Sequence, residues 1–255
     1  MFHWDVVWQN LFSTLFLAAA WTTLWMAVVA QTAGVIIGLV LALMRISRFP
    51  VFSWLARFYI WLFRGSPLLV QILILYFGLP EIFPALTPYI TVYSAALIAF
   101  SFNEGAYMAE IIRAGITSVD PGQMEAAKSL GMRYALAMRR IILPQAARVI
   151  IPPLGNEFNN MLKTTSLASV IGLFELTYTA EVNGSQSFVY FELLIVATFY
   201  YLVMTTLWGY VQGWIENRID PNRTTKYELA DKKSFTQRVI GFGSRERGGT
   251  LVSGR

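Results

Sequence analysis

Long apolar stretches, separated by short charged or proline-containing ones, occupy most of this chain. No charged residue occurs from Val6 to Met44, and one membrane-spanning helix needs only ~20 apolar residues. Because neither proline nor glycine interrupts this stretch before Gly34, the pattern favours one span over two. We interpret residues 1–20, rich in tryptophan and phenylalanine, as an interfacial segment that leads into a first span at about Trp21 to Met44.

Four further apolar stretches predict spans two to five. They run from about Val51 to Leu79, Ile90 to Ile116, Pro153 to Phe174 and Phe191 to Ile215. The second contains Arg57 and the sequence Arg64-Gly65-Ser66-Pro67, where proline removes a backbone donor and favours a break. The pattern therefore predicts an all-α polytopic membrane protein of about five transmembrane helices.

The distribution of lysine and arginine predicts the orientation in the membrane. The segments 1–20, 79–90 and 174–192 contain neither residue, whereas every other connection contains several. Since cytoplasmic loops carry the excess of positive charge, these three segments should lie outside. The N-terminus is then outside and the C-terminus inside. Residues 21–217 form the transmembrane domain, and 218–255 are predicted to be a basic, largely disordered cytoplasmic tail.

Composition excludes several classes of protein. The chain is 56% hydrophobic, which is too apolar for a soluble domain with a polar exterior. It has no cysteine, and its single histidine is His3, so thiolate metal sites, disulfides and histidine-based catalysis within the membrane are excluded. The net charge of +5 follows the predicted topology and does not require a nucleic-acid partner.

Polar residues at the centres of spans three and four are the candidates for a substrate pathway. They are Ser101, Asn103, Glu104, Asn156, Glu157, Asn160, Lys163 and Thr164. On the fourth span Asn156, Asn160 and Lys163 recur at helical spacing and create one polar face. Ionisable groups within a bilayer are costly and face a cavity or one another.

An amino acid would need acceptors for its ammonium group and donors for its carboxylate. Glu104 or Glu157 could supply the acceptors, and Asn160, Lys163 or backbone amides the donors. The alternative is that these groups satisfy one another between helices and never contact substrate. For Glu110 and Arg113, three residues apart on one helix face, we expect such a structural pair.

A charged segment, Asp120 to Pro144, separates the third and fourth spans. Asp120 is a suitable N-cap, Pro121 suits the first helical position, and Gly131 suits the position just past the end. We predict a short helix from Pro121 to Leu130 and a second from Arg133 to Leu143, with Pro144 as its stop.

This segment resembles a known family. Glu125, Ala126, Ala127, Gly131, Ile141, Leu143 and Pro144 follow the spacing E-A-A-x3-G-x9-I-x-L-P. That spacing is similar to the cytoplasmic signature loop in permease subunits of bacterial binding-protein-dependent ABC importers. The stretches at Arg64 to Gln71, Asn103 to Ile116 and Lys163 to Ser169 resemble the polar amino acid branch of that family.

The resemblance implies the membrane-spanning subunit of an ATP-driven amino acid importer in the bacterial inner membrane. Its loop at residues 120–144 would couple to a separate ATPase through Glu125, Ala126, Ala127, Gly131 and Arg133. The implied partners are ABC ATPase subunits, a second permease that is identical or homologous, and a periplasmic or extracellular amino-acid-binding protein. No cofactor is expected on this chain, because it has no G-x-x-x-x-G-K-[ST] loop; ATP and magnesium would bind to the ATPase.

Two other functions compete with this one. A passive channel or pore would use the polar centres of the spans but gives no reason for the signature loop. A membrane-embedded enzyme would need a histidine, a cysteine or a clustered acid and base, and the membrane region has no histidine or cysteine.

Overall fold

The computed structural model describes residues 2–219, and this part of the chain is all-α, as predicted, with no β-strand. The predicted tail lies outside the described residues from position 220 onwards. The helices are α1 Trp4–Leu11, α2 Thr14–Ile46, α3 Pro50–Gly65, α4 Leu68–Leu73, α5 Leu79–Ile82, α6 Val92–Thr117, α7 Pro121–Ser129, α8 Tyr134–Ala137, α9 Leu143–Thr164, α10 Leu176–Ser187 and α11 Tyr190–Ile219. Residues 2–212 belong to one compact unit.

Within residues 2–219, two helices are long and apolar enough to cross a membrane, namely α2 and α11. A third crossing is possible where α3 and the stretch Leu68–Ile82 form a pair bent by 101°. The predicted break in the second span is therefore confirmed. Helices α6 and α9, which carry the polar residues of the predicted pathway, are not among these candidates within residues 2–219, so the count of five spans stays a prediction.

Helix α2, which contains the first predicted span, begins before that span. Helix α2 starts at Thr14, seven residues before Trp21, and Ser13 caps it by accepting a hydrogen bond from the backbone N–H of Phe16 at 3.3 Å. Because a serine cap satisfies one of the free donors at a helix start, the helix boundary falls at Ser13 and not near Ala20. Helix α1 is correspondingly short.

Helices α2 and α6 pack closely along small residues. A Cβ atom at Gly34 would lie 2.6 Å from Cγ of Glu104, and one at Gly38 would lie 2.3 Å from Cβ of Met108. Both distances are far below van der Waals contact. Glycine at these positions lets the two backbones approach, as is common for helices within membranes. This contact fixes where Glu104 lies.

The loop after α6 matches the prediction at its start and departs from it at its end. Gly131 has a φ of +77°, and the N–H groups of Gly131 and Met132 donate to the carbonyls of Lys128 and Ala127 at 2.9 and 3.0 Å. These are the two bonds of a glycine-terminated helix end. Prediction of a stop at Pro144 is wrong, because a π-helical turn at Met138–Ile142 widens the helix and lets it continue into α9.

The region after α9 also differs from its prediction. The stretch from Pro153 to Phe174, predicted as one span, is not one continuous α-helix: α9 ends at Thr164 and a 3₁₀ helix follows at Thr165–Ile171. A further helix, α10, occupies the connection 174–192, for which no helix was predicted. Glu175 caps α10 by accepting a hydrogen bond from the N–H of Tyr178 at 2.7 Å.

Candidate functional site: a polar cavity and the loop at residues 120–144

A cavity of about 670 Å³ lies among α4, α6, α9 and the following 3₁₀ helix. Pockets for small molecules have volumes of roughly 300 to 1,000 Å³, so an amino acid would fit. Six of the eight predicted pathway residues line it: Asn103, Glu104, Glu157, Asn160, Lys163 and Thr164. The remaining lining residues are Leu68, Tyr107, Met161, Ser166 and Leu167. The two helices thus bring their polar faces together.

The other two predicted residues lie elsewhere. Ser101 is buried but does not line the cavity. Asn156 is exposed, and its side-chain oxygen accepts a hydrogen bond from Nε2 of Gln212 at 3.0 Å. This contact joins α9 to α11. A role for either residue in the pathway stays a prediction.

Glu104 is the most enclosed charged group of the cavity wall. Its exposed fraction is 5%, and among the described residues its Oε1 atom has no hydrogen-bond partner. The carboxylate of Glu157 is close enough to repel it electrostatically. The side-chain amide of Gln31 on α2 interacts favourably with this carboxylate, but it leaves Oε1 without a donor. An unsatisfied oxygen of a buried carboxylate is costly in free energy, which makes Glu104 a candidate ligand for a positively charged group.

The side-chain amide of Asn103 forms hydrogen bonds to the bend between α3 and α4. Its Nδ2 atom donates to the carbonyl of Phe63 at 2.9 Å and to Oε1 of Gln71 at 3.2 Å. Gln71 in turn donates from Nε2 to the carbonyls of Phe63 and Ser66 at 2.9 and 3.2 Å. The two amides therefore satisfy carbonyls that the helix end leaves free. The donors of Asn103 hold the bend and are not free for a substrate carboxylate.

Tyr107 and Gln71 were not proposed as site residues from the sequence. Tyr107 lies one helical turn after Glu104, and this i, i+3 spacing was the signal that could have placed it on the cavity wall. The Arg64 guanidinium lies over its ring at 5.0 Å from the centroid. For Gln71 the signal was a single amide within the apolar helix α4.

Ion pairs on α6 include the one that was predicted from the sequence. Arg113 and Glu110 are joined at 2.8 Å, and Arg45 of α2 lies 3.7 Å from the same carboxylate. The expected pair of Glu110 and Arg113 is confirmed. Lys163 is exposed, and no ion pair within residues 2–219 joins it to Glu104 or Glu157.

The signature loop presents a small mixed surface. Ala127 is buried, whereas Glu125, Ala126, Gly131 and Arg133 are exposed. Leu130, the C-cap residue just after α7, is 81% exposed.

Comparison with known proteins identifies the family of this chain. Residues 34–221, well over half of the sequence, match the family described as "Binding-protein-dependent transport system inner membrane component".

Individual relatives agree with this match. The chain is 43% identical over 199 residues to the probable amino-acid ABC transporter permease protein PatM of Vibrio harveyi, covering 78% of this chain and 89% of that protein. It is 40% identical over 200 residues to the arginine transport system permease protein ArtQ of Bacillus subtilis, covering 78% and 90%. A crystal structure of an amino acid ABC transporter with histidines superimposes with a TM-score of 0.74 at 44% identity, covering 80% of this chain and 94% of that one. The chain therefore belongs to the family of inner membrane components of binding-protein-dependent transport systems and is a multi-pass translocation subunit of the amino-acid ABC permease type.

Proposed function

We propose that this chain forms the translocation pathway of an ATP-driven amino acid importer and couples to a separate ATPase through residues 120–144. The observation that carries the proposal is the form of this loop. Helix α7 buries Ala127 alone, and its glycine-terminated end displays Leu130 between the exposed Lys128 and Arg133. A passive pore does not require a contact surface of this kind, whereas a coupled transporter requires one to which its ATPase binds.

ATP hydrolysis belongs to the partner in this proposal. The sequence contains no G-x-x-x-x-G-K-[ST] loop to hold nucleotide phosphates. ATP and magnesium accordingly bind to ABC ATPase subunits, and this chain carries no cofactor.

The cavity between α6 and α9 is the proposed part of the pathway, with Ser101 and Asn156 beyond its wall. A second permease, identical or homologous, completes the enclosure, and an amino-acid-binding protein delivers substrate from outside. The cation-free segments 79–90 and 174–192 lie on that outer side, together with the N-terminus. The loop and the C-terminus face the cytoplasm.

The segment at residues 1–20 lies at the outer interface in this arrangement, before the permease domain of residues 21–217 and the cytoplasmic tail of residues 218–255. Helix α1 packs through Val7 and Leu11 and exposes Trp4 and Trp8, at 63% and 65%. Exposed tryptophan is favoured at the boundary between headgroups and acyl chains.

A pair of substitutions at Gly131 tests the coupling role. A left-handed φ of +77° accepts asparagine and aspartate more readily than other residues, and an added Cβ meets no atom within 4 Å. Gly131→Asp therefore adds a negative charge at the tip of the loop, and Gly131→Asn is its neutral control. We expect both variants to insert and the aspartate variant alone to lose most co-purification with the ATPase or most transport-coupled ATP hydrolysis. Equal coupling in the wild type and Gly131→Asp would remove the basis of the assignment.

A further inference from the structure

We propose that this cavity selects amino acids with a cationic side chain. The inference rests on the proposed transport function and concerns its substrate class. It is carried by the charges that the lining residues bring together and by the lack of ion pairs between them.

Two carboxylates and one ammonium group line the cavity. Glu104 and Glu157 come from α6 and α9, and the cation is Lys163. The two carboxylates repel each other, and within the described residues neither forms an ion pair with Lys163. Arg64 is not among the lining residues; its guanidinium lies on Tyr107, and its charge acts on Glu110.

The charge balance distinguishes three classes of substrate. With Glu104, Glu157 and Lys163 all ionised, the lining residues sum to one net negative charge, so a zwitterion with a neutral side chain leaves one carboxylate uncompensated. An acidic amino acid makes the imbalance larger. A cationic amino acid brings two positive groups and one carboxylate, which pair with Glu104, Glu157 and Lys163 in a complementary set. Since an unpaired buried charge is costly, the third class should bind most tightly.

Glu104 has the geometry to discriminate between these classes. It is held in place because Gly34 lets α2 approach its side chain, and its Oε1 atom is buried without a partner. A guanidinium or ammonium group would supply the missing donor as a charge-assisted hydrogen bond. Polar side chains of Asn160 and Thr164 on the same wall could orient the rest of the substrate.

The test measures binding of labelled arginine, glutamine and glutamate to the purified complex of permease and ATPase. Leaving the separate binding protein out removes its own selectivity from the result. We expect arginine to bind about tenfold or more tightly than glutamine, and glutamate to bind most weakly, since a hydrogen bond to a charged group contributes enough for about one decade in affinity.

Variants of the two carboxylates localise the effect. Glu104→Gln and Glu157→Gln should each weaken arginine binding about tenfold and change glutamine binding far less. Glu81→Gln, on the exposed outer segment, is the matched control and should change neither. Basal ATP hydrolysis, measured for every variant, reports whether the complex remains assembled.

The outcomes separate this inference from the function on which it rests. Glutamine binding as tight as arginine binding, or an arginine preference that survives both substitutions, would overturn the cationic selectivity. If a neutral amino acid is then still taken up with ATP hydrolysis, the transport function stands. Equal binding accompanied by proton uptake would mean that a proton compensates Glu104, and this too would overturn the inference. A complex that neither binds nor transports any amino acid would overturn both.

Discussion

Asn103 on α6 donates a hydrogen bond of 3.2 Å to the side-chain oxygen of Gln71 on α4, and the same nitrogen reaches the last turn of α3 through the carbonyl of Phe63. One amide thereby joins three helices at the 101° bend. Because Asn103 and Glu104 are consecutive, the contact that holds the bend also sets the cavity wall.

A double-mutant cycle on Asn103 and Gln71 tests this joint. We expect Asn103→Ala and Gln71→Ala each to lower the free energy of unfolding of the solubilised protein, because partly buried carbonyls lose their donors. Their effects should be coupled by about 1 kcal/mol, as for interacting pairs within membranes. Effects that simply add would show that the two amides act independently.

The close packing of α2 on α6 gives a second prediction. Gly34→Ala places a methyl group 2.6 Å from Cγ of Glu104, so either the carboxylate or a helix must move. We expect a loss of about 1 to 3 kcal/mol in the free energy of unfolding, as for other overpacked sites. Gly209→Ala is the control, because a Cβ atom there meets nothing within 4 Å; it should be neutral or slightly stabilising. Equal stability of the two variants would contradict the packing described.

The orientation is tested by single cysteines, which the cysteine-free sequence makes simple to read. Ser187 and Ser129 are both exposed and are predicted to lie on opposite sides of the membrane. A membrane-impermeant thiol reagent should label Ser187→Cys in intact cells and should label Ser129→Cys only after the membrane is opened. Labelling of Ser129→Cys in intact cells would reverse the assignment.

The parts of the fold that follow from local chemistry were predictable from the sequence. Gly131 was expected just past a helix end because only a residue tolerant of positive φ fits there, and its φ is +77°. The break at Pro67 followed from a missing backbone donor. In both cases a single residue decides the local conformation.

Pro144 and α10 could not be predicted in the same way. A proline stops an ordinary α-helix because it lacks an N–H and its ring clashes with the preceding turn. The π turn before Pro144 relieves this clash. No feature of the local sequence predicts that turn. Helix α10, with the sequence LTYTAEVNGSQS, shows no amphipathic periodicity. Its cap, Glu175, is fully buried and accepts a hydrogen bond from the hydroxyl of Tyr201 on α11 at 2.7 Å. Tertiary contacts thus hold a helix that propensity does not favour.

The sequence predicted six of the residues that line the site but not which of them are free to contact a substrate. Helical spacing placed Asn156, Asn160 and Lys163 on one face; Asn160 and Lys163 line the cavity, whereas Asn156 bonds to Gln212 on α11. Nothing in the sequence distinguished Asn103, whose donors hold a bend, from Glu104, whose Oε1 atom has no hydrogen-bond partner among the described residues. That difference depends on which backbone carbonyls the bend leaves free, and only the three-dimensional arrangement specifies them.

The most direct measurement of the central claim is amino acid uptake into proteoliposomes that contain the permease with its ATPase and receive the binding protein from outside. The account predicts accumulation of amino acid against its concentration gradient, only when ATP is present on the ATPase side, with hydrolysis that rises when loaded binding protein is added. Uptake that proceeds without ATP and stops at equal concentrations would identify a passive pore and contradict the account.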